Sequence, residues 1–214
     1  MKRILSYGGG VNSTAILALM KLGEYPTPDL IVFCDTGAEK QDTYCYLKYI
    51  SKLFPIKIIK SELGGLIDYC KKYKIIPTIM QSFCTHKFKI RPFDKLIKNQ
   101  DYIKILGIDY GERHRKIEGS NTEYPLIEMK IDRNDCIEII KKAGLEIPVK
   151  SGCYICPNMR MSELKNLREN FPEYFQILVN LEKEANERRN DIFFKPHKKG
   201  LIESYCNDNQ PYLP

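Results

Sequence analysis

Arg3-Ile4-Leu5-Ser6-Tyr7-Gly8-Gly9-Gly10-Val11-Asn12-Ser13-Thr14 is the stretch on which the reading of the fold turns. A short apolar run gives way to three glycines, then to Asn, Ser and Thr, and apolar residues return at helical spacing in Ile16, Leu17 and Met20. Strand, glycine turn and helix in that order gather free backbone N–H groups and the positive end of a helix in one place, which makes an anion site. Glycine suits the turn because the backbone must approach phosphate closely and can adopt positive φ there. Ser13 and Thr14 add hydroxyl donors, and Asn12 can cap the helix or bind through its amide. The candidate nucleotide-binding residues here are Ser6, Gly8, Gly9, Gly10, Asn12, Ser13 and Thr14. The spacing matches neither GxxxxGK[ST] nor GxGxxG, which disfavours the P-loop and dinucleotide fingerprints; a plain glycine-rich turn is the alternative.

Working outward, apolar runs too short for helices predict strands over 3–7, 30–35, 56–60 and 103–108, with amphipathic crossover helices over 13–22 and 42–53. Alternation of this kind predicts an α/β fold, a twisted parallel sheet flanked by helices in Rossmann-like fashion. After Asp109 the character changes to a polar segment over 111–123, a helix over 132–142 and a Cys- and Pro-rich loop over 146–157. A helical hairpin broken at Pro172 follows, over 161–170 and 172–187, and the tail beyond Arg188 lacks periodicity. The expected organisation is a nucleotide-binding α/β domain over 1–130 and a smaller helical part with a cysteine cluster over 131–214.

The 214 residues are 43% hydrophobic and 29% charged, enough for one substantial core. No long apolar segment suggests export or a membrane span, so a cytoplasmic protein with no membrane partner is expected. A net charge of +7 favours polyanionic partners: nucleotides first, with tRNA or DNA as candidates. The eight cysteines are unevenly spaced and follow no export signal, so reduced thiols are expected rather than a disulfide framework.

The segment Gly8 to Ser13 resembles the SGGxDS loop of the PP-loop ATP pyrophosphatase and PAPS reductase superfamily, a HUP-like fold. Gly8 replaces that family's first Ser and Asn12 its usual Asp. Three further segments follow in the family's order, so the resemblance covers residues 1 to about 115. Asp35-Thr36-Gly37-Ala38-Glu39 resembles DTGxE, which implies that Asp35, Thr36 and Gly37 help to hold the nucleoside. Cys84 to Pro92 resembles CTxxLKIxP, whose basic residues approach a substrate phosphate or sulfate. Lys87, Lys89 and Arg91 alternate there, and an extended chain would present them on one side. Gly107 to Arg115 resembles GIRxDESxxR with Tyr110-Gly111 interrupting the order.

Cys153-Tyr154-Ile155-Cys156 is a C-x-x-C turn, which brings two sulfurs close enough to share a metal ion or cluster. Two more ligands are normally required, and Cys84 and Cys136 are the candidates; a redox dithiol is the alternative. Four thiolates suit either zinc or a [4Fe–4S] cluster, and the cluster would suit sulfur transfer better. Cys34, Cys45 and Cys70 read as small core hydrophobes.

The resemblance implies an ATP pyrophosphatase-type adenylating enzyme or sulfurtransferase. It would cleave ATP, held with Mg²⁺, to AMP and pyrophosphate and so activate a substrate for sulfur or nitrogen transfer. Ser13, Asp35, Lys87, Lys89 and Arg115 are its candidate catalytic residues. The acceptor would be a substrate such as a nucleic-acid base, with a sulfur donor as partner. A PAPS or APS reductase using a thioredoxin-like protein is one alternative, although the C-terminal ECGLH motif is missing around Cys206. A non-catalytic nucleotide-binding module is the other.

Overall fold

The computed structural model describes residues 1–79, 82–98, 100–188 and 202. Most of the tail beyond Arg188, Cys206 included, lies outside the described residues. In chain order the elements are β1 (Lys2–Ser6), α1 (Val11–Lys21), β2 (Leu30–Asp35), α2 (Gln41–Ile50), β3 (Ile56–Lys60), α3 (Leu66–Tyr73) and the single turn α4 (Phe83–Thr85). A π-helical turn (His86–Ile90) continues into α5 (Arg91–Ile97), followed by β4 (Tyr102–Leu106), a 3₁₀ segment (Tyr110–Arg115) and β5 (Thr122–Glu123). The helices α6 (Pro125–Glu128), α7 (Arg133–Lys142), α8 (Met161–Asn170) and α9 (Pro172–Arg188) complete the described elements.

The chain divides into two compact units. The first is Met1–Asp35, Glu39–Lys60 and Ile90–Gly152; the second is Thr36–Ala38, Ser61–Lys89 and Cys153–Pro214. This differs from a single division at 130/131. The reason is α7, whose Cys136 and Ile140 pack into the same apolar cluster as Ile16 and Leu17 of α1. The helix that was expected to open a separate part is therefore a layer of the sheet unit.

That unit carries a five-stranded sheet in the order β3-β2-β1-β4-β5, parallel throughout, which is the expected Rossmann-like α/β fold. Period-two alternation splits its core. Leu5, Ile31, Phe33 and Ile105 join the cluster with α1, α2 and α7, while Ile4, Val32 and Cys34 join Phe93 and Ile97 of α5. Helix α1 is buried from Val11 through Met20, so it is a core helix rather than an amphipathic cover. It starts two residues earlier than expected because Gly10, with extended backbone at φ −103°, serves as its N-cap. The fifth strand was not anticipated, since two residues carry no periodicity. In the second unit, α3, α8 and α9 share a core that includes Leu66, Leu164, Leu178 and Leu181. No helix among the described residues is long and apolar enough to cross a membrane.

From β1 the chain builds outward through β2 to β3, then returns to pair β4 on the other flank of β1. Such a reversal opens a crevice beyond the carboxyl ends of the two strands concerned, and ligands of open α/β sheets bind there. The crevice is closely fitted. A Cβ added to Gly107, just after β4, would lie 2.8 Å from the Ser13 nitrogen and 2.9 Å from its Cα. Because both obstacles are backbone, Gly107→Ala is expected to destabilise the protein by about 1–3 kcal/mol, the usual cost of overpacking. Urea unfolding measures this, and an unchanged midpoint would mean that the first turn of α1 yields without cost.

Candidate functional site

The glycine loop is braced from within. Tyr7 is buried against Phe33 and shares a 3.2 Å hydroxyl contact with Thr14. Ser13 Oγ accepts from the Gly8 N–H at 3.2 Å and donates to the Gly10 carbonyl at 3.1 Å. These two hydroxyls therefore shape the loop, and Thr14, fully buried, serves it from the core rather than facing a ligand. Gly9 has φ +72°, a conformation that favours glycine. Helix α1 has no side-chain cap hydrogen bond at its start.

Two neighbours that sequence reasoning missed lie against the loop. Thr43, the third residue of α2, is only 3% exposed, and its methyl would meet a Gly9 Cβ at 3.3 Å. Its Oγ1 is buried with no hydrogen-bond partner among the described residues. Ser151 Oγ lies 2.8 Å from where a Gly10 Cβ would stand. Neither residue carries a local signal, since both come from segments remote in sequence.

Carboxylates occupy the strand ends on either side. Asp35, the last residue of β2, is buried; its Oδ1 accepts from Tyr44 Oη at 2.7 Å and its Oδ2 lies 3.6 Å from Lys60 Nζ. Burial first, and then the bond to Asp35, raises the Tyr44 hydroxyl above the usual tyrosine range, so it remains a donor. Asp109, beyond β4, is also buried. Its Oδ2 accepts from Asn12 Nδ2 at 2.9 Å and its Oδ1 from the Glu112 N–H at 3.0 Å. Asn12 Oδ1 in turn accepts from Arg133 Nη1 at 3.1 Å. Asn12 is thus not an N-cap; it ties the loop to the end of β4 and to the start of α7.

Of the expected site residues, Ser6, Gly8, Gly9, Gly10, Asn12, Ser13, Asp35 and Arg115 belong to the first unit. Arg115 is exposed and its guanidinium pairs with Glu112 at 2.9 Å. Thr36, Gly37, Lys87 and Lys89 belong to the second. Thr36 is buried there, with its hydroxyl 3.1 Å from Cys153 Sγ. The expected extended basic segment is helical instead. His86–Ile90 is a π turn anchored by buried Phe88 and by Ser61 Oγ donating to the Lys87 carbonyl at 3.0 Å. Residues two apart on a helix point to nearly opposite sides, so Lys87, Nζ 5.3 Å from the Tyr69 ring centroid, and exposed Lys89 do not form one cationic face.

The four candidate metal ligands are likewise divided. Cys84, Cys153 and Cys156 belong to the second unit, Cys136 to the first. The Cys153–Cys156 turn is closed by the Cys156 N–H on the Cys153 carbonyl at 3.1 Å, and burial raises the Cys84 thiol, with Cys156 adding to the effect. Among the described residues no three His, Cys, Asp or Glu side chains form a group that could hold a metal ion. Cys34 and Cys70 are buried as expected, whereas Cys45 is exposed on α2, because Tyr46, Leu47 and Ile50 take the core face.

Burial, reinforced by Asp109, pushes the Cys136 thiol up to about 12. A neutral thiol in an apolar cluster acts as packing, so Cys136→Ser is expected to destabilise by about 1–3 kcal/mol through an unpaired buried hydroxyl. Cys136→Ala should leave the metal content of anaerobically purified protein equal to that of the parent. Elemental analysis checks this; metal lost with Cys136 would return it to a ligand set.

No family model matches the chain. It is 26% identical to the uncharacterized protein MJ0066 of Methanocaldococcus jannaschii, over 87% of this chain and 42% of that protein. It is 25% identical to the uncharacterized protein MJ0973 of the same organism, over 87% of this chain and 49% of the relative. The uncharacterized nin region protein ORF290 of Escherichia phage lambda is 26% identical over 73% of this chain and 66% of its own length. The chain therefore spans about half the length of the first two relatives and about two thirds of the phage protein.

Proposed function

We propose that the carboxyl edge of the sheet binds the phosphates of ATP or a related adenine nucleotide, and that the protein is an ATP pyrophosphatase-type enzyme. One observation carries the reading. At the point where strand order reverses, an uncapped helix start and a glycine loop stand beside a buried threonine hydroxyl that has no partner among the described residues.

In this reading the amides from Gly9 to Asn12 receive phosphate oxygens, and Gly8, exposed at the loop's outer surface, is where the ligand first meets the chain. Asp35 faces the nucleoside or its Mg²⁺. A buried carboxylate is the ligand type that a hard cation such as Mg²⁺ takes. The ion would neutralise phosphate charge. The chain's own groups would hold the α-phosphorus open to an acceptor oxygen while the bond to pyrophosphate breaks, which is chiefly positioning and charge neutralisation. The adenylated acceptor would then exchange AMP for sulfur or nitrogen. Net charge +7 supports a nucleic-acid base as acceptor, and Arg115 keeps its charge-offsetting role as part of this proposal.

Gly8 offers a direct test, since a Cβ there would meet nothing nearer than Ser13 Oγ at 4.0 Å. Gly8→Val is expected to fold like the parent and to bind ATP at least about tenfold more weakly, which corresponds to ~1.4 kcal/mol of lost phosphate contact. Equilibrium titration with a thermal-melt control measures both. Release of AMP and pyrophosphate from labelled ATP by the parent would support the cleavage, and binding without products would leave a nucleotide-binding module. Equal affinity in parent and variant would place the phosphates elsewhere.

A further inference from the structure

Resting on that reading of the loop, we infer that Arg133 is a phosphate-contacting residue of the site, and that Asn12 occupies its position because an amide is needed to hold Arg133 there. Asn12 is the second residue of α1 and Arg133 the first of α7, two helix starts in the same unit. Between them the Asn12 amide is used at both ends: Nδ2 donates to Asp109 and Oδ1 accepts from Arg133. An aspartate could accept from Arg133 but would place a second carboxylate against buried Asp109, at a cost that rises in a low dielectric. A flipped amide would set donor against donor and acceptor against acceptor, so the network itself orients the side chain. Asn is the side chain of that length which satisfies both neighbours.

The consequence is a guanidinium tethered one side chain away from the leading amides of α1. Arg133 is exposed, and among the described residues Asn12 is its hydrogen-bond partner through Nη1 alone. A guanidinium has five N–H donors in a planar fork, so most of its donor capacity faces outward, in the geometry that suits phosphate oxygens. The other cations of this edge are engaged more fully: Arg115 pairs with Glu112, Lys60 lies beside Asp35, and Arg113 lies over the Tyr110 ring. None of them touches the loop as Arg133 does through Asn12. The ligand recognised is thus a polyphosphate whose charge sits between the start of α1 and the fork of Arg133.

Titrations of ATP and of inorganic tripolyphosphate against the parent, Arg133→Gln, Arg133→Lys, Asn12→Asp and the exchange Asn12→Asp/Asp109→Asn test this. Arg133→Gln is expected to weaken both ligands by about ten- to hundredfold, the usual consequence of losing a charge-assisted bond, with an unchanged thermal midpoint because the residue is exposed. Arg133→Lys should recover only part of that loss, since an ammonium lacks the fork. Asn12→Asp should weaken binding, and the exchange should recover much of it, because an aspartate at 12 can accept from both an asparagine at 109 and Arg133. Parent protein that binds neither ligand would overturn the loop reading and this inference together. Binding by the parent that Arg133→Gln matches, or that it loses only in step with its thermal midpoint, would overturn the role of Arg133 while leaving the loop in place.

Discussion

The close approach of the chain after β4 to the first turn of α1 is the constraint on which the sheet unit depends. Gly107 meets the Ser13 backbone with no room for a side chain, and two residues later Asp109 receives the Asn12 amide. Strand β4 can lie beside β1 in this register only if its exit passes under the start of the helix that β1 feeds. The helix start is therefore fixed by a neighbouring strand as well as by its own loop. Polar groups do this work where the core ends. Leu5 and Ile105 fill the sheet interior, and the contacts change from apolar to hydrogen-bonded where the strands run out.

Preorganisation follows from that arrangement. The Ser13 and Thr14 hydroxyls are spent on Gly8, Gly10 and Tyr7, so an incoming anion would meet backbone amides already held in place. Asp35 and Asp109 bracket the loop, each satisfied by a neutral donor from its own unit. Two buried carboxylates lie close to the loop, with Lys60 beside one and the Asn12–Arg133 tether at the other.

Much of this was legible in the chain. The strands over 30–35 and 56–60 are found at those bounds because Val- and Ile-rich runs, ended by Asp and Lys, leave little choice. The loop was recognisable from its glycines. What it binds to within the protein was not, since Asp109 and Arg133 lie 97 and 121 residues from Asn12 and local pattern says nothing about such pairs. Lys87 and Lys89 misled for a related reason: alternating charge reads as an extended strand, but buried Phe88 between them anchors a helical turn. Cys136 was singled out for its type, and its place on the buried face of α7 among apolar neighbours carried no local signal. The interleaving of the two units was not legible, because each is assembled from separated segments.

Backbone amide chemical shifts recorded during titration with ATP test the central claim most directly. Shifts largest at Gly8, Gly9, Gly10, Val11 and Asn12, falling away toward the carboxyl end of α1, are the predicted result. Shifts centred on other segments, with these amides unmoved at saturation, would contradict it.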